Sequence, residues 1–180
     1  MQSATDSRFD GLVAGYAALA IVIHILEAGL PSPIPGIKPG LANVVTLVVL
    51  LRHGWALAAW VVVLRVLVSA LLLGTFLTPT FILSLSGACA SLTALGLVHL
   101  VQQRLPLFSA YGYAMPSACA HMLGQFLVAY ALFVPHEGLL KLLPVLSSAA
   151  LLFGLCTGWL AMRILAAMSP LPRAPSDEPT

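Results

Sequence analysis

From Gly11 to Leu165 the chain is a succession of apolar runs, such as "WALAAWVVVLRVLVSALLLG" from Trp55 to Gly74, separated by short polar or Pro/Gly-bearing breaks. Runs of about 20 apolar residues are the length a helix needs to cross a hydrocarbon core about 30 Å thick. Water is excluded as the solvent by polar supply. Only 8% of residues are charged and 60% are hydrophobic, where a soluble domain carries about 25% charged residues. The fold class is therefore an all-α membrane protein.

The breaks divide the chain into six transmembrane helices, at Gly11–Leu30, Leu41–Leu51, Trp55–Gly74, Thr80–Leu100, Pro116–Val134 and Leu139–Leu165, the last carrying Pro144. The expected organisation is one six-helix domain over residues 9–168. Disordered tails are expected at 1–8 and at 169–180, the latter rich in proline. No secretory cleavage signature follows the first run, which reads as a retained span. The second span is short, reaching about 16 Å at 1.5 Å per residue. Either it begins in the preceding segment or "PSPIPGIKPG", Pro31 to Gly40, folds back into the membrane. Irregular backbone at that depth survives only where protein shields it or where it lines a cavity.

Orientation follows from the basic residues. Arg8, Arg52, Arg104, Arg163 and Arg173 fall on one side of a six-span chain and Lys38 and Lys141 on the other, with Arg65 in mid-span. Basic residues mark the cytoplasmic face, so both termini are expected there. The Pro-rich segment and the breaks at 74–79 and 135–138 then share the external face.

Polar residues inside spans are costly and should face the bundle. Arg65 needs a partner, and Glu27 is the candidate. Their pairing reads either as a structural closure or as an anion or proton site. His24 shares a helix face with Glu27, and His121 with Gln125, by the i, i+3 and i, i+4 spacings. His121 and Gln125 read as interhelical bonds or as the lining of a path, and His24 alone as a hydrogen-bonded core histidine rather than a ligand. Asn43 follows Pro39 and Gly40 and either caps the second helix or lines a site. Glu27, Lys38, Asn43, Arg65, His121 and Gln125 are the candidate substrate-binding residues. Lys38 belongs to a segment that would cover a pocket above Glu27 and Arg65. Ala14 and Ala18 form an AxxxA spacing on the first helix, a face suited to close helix packing. Cys89, Cys119 and Cys156 lie in apolar runs without metal-ligand spacing and read as packing residues. No metal site and no cofactor is expected, and no basic patch points to nucleic acid.

The runs "PIPGIKPGLANVVTLVVL", "LRVLVSALLLGTFLTPTFILSLSG" and "AHMLGQFLVA" resemble the bacterial membrane family of Gx transporters, also labelled heptaprenyl diphosphate synthase component I. Pro39 stands where that family most often has leucine. The family is in turn similar to the substrate-binding S-components of energy-coupling factor transporters. The resemblance implies an S-component-like six-helix bundle in the bacterial inner membrane. It further implies a small-molecule substrate under external loops, and docking of a transmembrane coupling subunit with ATPase subunits through Ala14 and Ala18. The synthase label implies instead an accessory role in isoprenoid synthesis. Catalysis by this chain is not expected, because prenyl-chain elongation needs paired carboxylates to hold Mg²⁺. The six acids here include no DDxxD, and four of them, Asp6, Asp10, Asp177 and Glu178, lie in or beside the tails.

Overall fold

The computed structural model describes residues 2–30, 40–105 and 108–168. Lys38, with the rest of segment 31–39, and the tail at 169–180 lie outside them. Among the described residues the protein is entirely helical: α1 (Gln2–Gly29), α2 (Leu41–His53), α3 (Trp55–Leu72), α4 (Pro79–Arg104), α5 (Ala110–Val128), a π-helical turn (Ala129–Phe133), the short α6 (Glu137–Leu140) and α7 (Leu143–Ala167). Five segments are long and apolar enough to cross a membrane: Ser7–Gly29, Trp55–Leu72, Pro79–Arg104, Ala110–Phe133 and Glu137–Ala167.

The helices bury an apolar core and are apolar on the outside as well. On α1, Leu26 is 66% exposed while its neighbour Glu27 is 4% exposed. Leucines such as Leu72, Leu97, Leu127 and Leu152 lie outward, and the buried set includes Arg65, Thr46, Ser69, Ser91 and Ser117. That arrangement is favourable only where the surroundings are as apolar as leucine.

The short α2 is the exception that organises the rest. Ala42 and every residue from Val44 to Leu50 are buried, so the helix is apolar all round, as an internal helix must be. It packs against α1, α3, α5 and α7, while α3 adjoins α4, α4 adjoins α5, and α5 adjoins α7. Its 13 residues need not span a bilayer because neighbouring helices cover it. At its far end Gly54 adopts φ 89°, a conformation open mainly to glycine, and reverses the chain directly into α3.

Two kinds of attachment hold the bundle. On the α1–α3 side the ties are polar: the Tyr16 hydroxyl meets His53 Nε2 at 3.1 Å, and Glu27 and Arg65 bond to α2. On the α4–α5–α7 side the helices approach through small residues. A Cβ on Gly124 would lie 2.7 Å from that of Ala90, and one on Gly158 would lie 2.7 Å from the Tyr111 ring. The Ser91 and Ser117 hydroxyls bond at 2.7 Å across the α4–α5 contact. Close backbone approach of this type is how helices associate when hydrophobic burial offers no driving force.

Three boundaries differ from expectation. Residues 2–8, expected as a tail, continue α1 to Gln2. The fifth helix starts at Ala110 and carries Pro116 within it, which a membrane helix tolerates where neighbours satisfy the freed carbonyl. Pro144 stands in the first turn of α7, where its missing N–H costs nothing; it does not interrupt the helix.

Candidate functional site

The chain leaves α1 at Leu30 and re-enters at Gly40 beside the carboxylate of Glu27. Leu41 donates its backbone N–H to Glu27 Oε1 at 2.6 Å, and Ala42 donates to Oε2 at 3.3 Å. The first amides of a helix have no partner within it, and its N-terminus carries positive partial charge. A buried carboxylate there is accommodated on both counts. Glu27 thus fixes where α2 begins.

Two residues further, Asn43 donates its backbone N–H to Gly40 O at 2.8 Å, and its side chain faces α3. Arg65 Nη1 donates to Asn43 Oδ1 at 3.0 Å. Asn43 is therefore a link between α2 and α3, and its side chain does not cap its own helix. Arg65 is 5% exposed, and its carbonyl accepts a bond from the Ser69 hydroxyl. The expected direct pairing of Glu27 with Arg65 is replaced by a relay. Glu27 gives both oxygens to α2 amides, Arg65 bonds Asn43, and the two charges act on each other at longer range.

His121 and Gln125 face α4 from α5. A Cβ on Gly87 would lie 2.9 Å from His121 Cε1 and Nε2, and 2.8 Å from Gln125 Cγ. The His121 ring lies directly against Gly87, whose lack of a side chain leaves it room. The i, i+4 pair on α5 thus shares one face, turned toward α4. Two buried nitrogens remain without a hydrogen-bond partner, Arg65 Nε and His121 Nδ1. Orphans of this kind are rare in a finished interior and demand an explanation.

A pocket of about 20 Å³ lies beside Asn43, lined also by Leu47, Leu95, Ala114, Ser117, Ala118 and Thr157. It lies where α2 meets α4, α5 and α7, and its size suits about one water molecule.

The structure joins Glu27, Asn43 and Arg65 through α2 and sets His121 and Gln125 against Gly87 of α4, and Lys38 lies outside the described residues. Ala14 and Ala18 are elsewhere: both are exposed on the outer face of α1, while Val13, Ala17 and Ala20 face inward. Sequence reasoning missed the amides of Leu41 and Ala42, the opening at Gly87, and Ser117 and Thr157 beside the cavity. Only Ser117 had a signal, since it falls one turn from His121 on α5. Among the described residues no group of three His, Cys, Asp or Glu side chains is placed to hold a metal ion.

No curated protein and no solved structure matches this chain. The sequence profile described as heptaprenyl diphosphate synthase component I matches residues 16–164, a stretch that contains α2 through α6, the second half of α1, most of α7, and Glu27, Asn43, Arg65, His121 and Gln125. With most of its length covered by that match, the chain belongs to the heptaprenyl diphosphate synthase component I family.

Proposed function

We propose that this protein is the small-molecule-binding subunit of an uptake system in the bacterial inner membrane, acting as an S-component-like scaffold. The observation that carries the reading is Arg65. Arg65, 5% exposed, with Nε unpartnered and Nη1 bonded to the neutral Asn43 side chain, is an expensive arrangement for a purely structural group. A ligand supplying an acceptor repays that cost. Asn43 orients the guanidinium, Glu27 secures α2, and His121 and Gln125 complete the lining. Lys38 would join from the segment that separates α1 from α2.

The exposed small face of α1 supports the second half of the reading. Ala14 and Ala18 lie outward, and no atom comes within 4 Å of a Cβ built on Gly11 or Gly15. This face would seat a transmembrane coupling subunit with its ATPase subunits, with both termini cytoplasmic. The family description favours a second reading, a non-catalytic membrane accessory of isoprenoid synthesis or a structural assembly subunit. Native mass spectrometry of the protein released from its own membrane in lipid nanodiscs separates the two. A bound small molecule lost in Arg65→Met, or a co-purifying coupling subunit, supports uptake. A co-purifying prenyltransferase with no bound solute overturns it.

A further inference from the structure

The outer face of α7 changes character once along its length. Leu152, Leu155 and Trp159, at steps of three and four residues, are 63%, 43% and 51% exposed and form one outward lane. Arg163 follows Trp159 by four residues, so it continues the lane, and it too is exposed. Its guanidinium carbon lies 5.5 Å from the centroid of the Trp159 ring. At 1.5 Å per residue, Arg163 stands about 30 Å along the axis from Leu143, where α7 begins. That is about the thickness of a hydrocarbon core, and tryptophan is favoured at its boundary. The lane therefore runs from leucine in the hydrocarbon to a cation at the level of the lipid headgroups.

The Trp159 ring is the one partner Arg163 has. Among the described residues it makes no hydrogen bond and no ion pair, and α7 contains no aspartate or glutamate. Arg52, at the same end of the bundle, is turned instead to the Met168 carbonyl, with Nη1 at 3.5 Å. Stacking on an aromatic ring engages a face of the guanidinium and leaves its N–H edge free. That edge matches two oxygens of one phosphate.

We propose that Trp159 and Arg163 form a headgroup site for an anionic phospholipid, whose phosphodiester bonds Arg163 while an acyl chain lies along Leu155 and Leu152. The occupant is a lipid because the cation closes an apolar lane, and a free phosphate would use the cation and leave the lane unfilled. It is anionic because a zwitterionic headgroup carries its own cation, which competes with Arg163 for the phosphate. No carboxylate on α7 is there to receive that cation. The site shares no residue with the one around Arg65 and does not rest on the uptake reading.

The test uses the full chain with Trp55→Phe and Trp60→Phe, both exposed positions, so that Trp159 is the only indole left. Its fluorescence is followed in bilayers of phosphatidylglycerol and phosphatidylcholine in which one lipid or the other carries bromine on its acyl chains, a quencher that acts only near contact. Brominated phosphatidylglycerol is expected to occupy the lane about five-fold more readily than brominated phosphatidylcholine, the gain of one arginine at a charged headgroup. Arg163→Gln should remove that preference. Arg104→Gln, which alters another exposed cation at the end of α4, should leave it intact. Equal quenching by the two lipids overturns the proposal, as does a preference that survives Arg163→Gln, vanishes in Arg104→Gln, or is abolished by excess soluble glycerol phosphate. Native mass spectrometry of the unaltered protein, released from nanodiscs of both lipids in equal amounts, needs no variant. Phosphatidylglycerol predominating among the retained lipids supports the site, and any other outcome overturns it.

Discussion

Replacing Glu27 with leucine and Arg65 with methionine, singly and together, asks what the two charges do for the fold. Were they a direct buried pair, either single change would strand the other charge at about 3–5 kcal/mol, and the double change would largely restore stability. The observed bonds give a different sum. Glu27→Leu removes the acceptor from the Leu41 and Ala42 amides, and each buried orphan costs about 1–3 kcal/mol. The 2.6 Å bond from Leu41 should carry the larger share, for a total of about 3–5 kcal/mol. Arg65→Met frees Asn43 Oδ1, costing about 1–3 kcal/mol, but removes an unpartnered buried N–H and recovers part of that. In the double variant the α2 amides are still orphaned. It should therefore remain at least about 2 kcal/mol less stable than the native chain, with modest coupling between the two changes. Equilibrium unfolding of the four proteins in mixed micelles gives the cycle. A double variant as stable as the native protein would refute the relay and restore the direct pair.

Other expectations follow from single contacts. Gly87→Ala places a methyl group 2.9 Å from the His121 ring and 2.8 Å from Gln125 Cγ. It should cost about 1–3 kcal/mol by overpacking and displace both side chains, read as lower thermal stability and lost ligand in native mass spectra; unchanged values would remove Gly87 from the site. Ala14→Leu with Ala18→Leu should leave stability within about 0.5 kcal/mol, since both positions are exposed. The same double change should abolish co-purification of a coupling subunit, and an intact complex would clear this face of that role. A reporter at His136, exposed before α6, should be active outside the cytoplasm and one after Thr180 inside it, by the basic-residue asymmetry. The opposite labelling would invert the molecule and its external site.

Much of the fold could be read from hydropathy because lipid imposes one rule on every span. The break after Leu30 was visible in its prolines, and the inward placement of Glu27 and Arg65 followed from the cost of charge in hydrocarbon. The fate of α2 was partly visible, since its length demanded shelter without naming the helices that give it. Pro116 misled the reading of the fifth helix because a proline at a helix start and one inside a packed membrane helix look alike in sequence. The charge pairing was misjudged for a related reason: backbone amides carry no sequence signature, so a carboxylate that serves them is indistinguishable from one that serves an arginine. Gly87 looked like one more small residue in "SLSGACASLTALG", and its part in the site exists only through what α5 places against it.

The attachment of α1 to α2 at both ends has a mechanical consequence. Tyr16 holds His53 and Glu27 holds Leu41, two cross-ties about 18 Å apart along α2 at 1.5 Å per residue. Two rods braced at both ends resist shear: neither slides along the other unless a tie breaks. Gly54 hinges the far end of α2 directly to α3, and Asn43 fastens the near end to Arg65. A load applied to the outer surface of α1 therefore reaches the guanidinium by two routes, through α2 and Asn43 and across the direct α1–α3 contact.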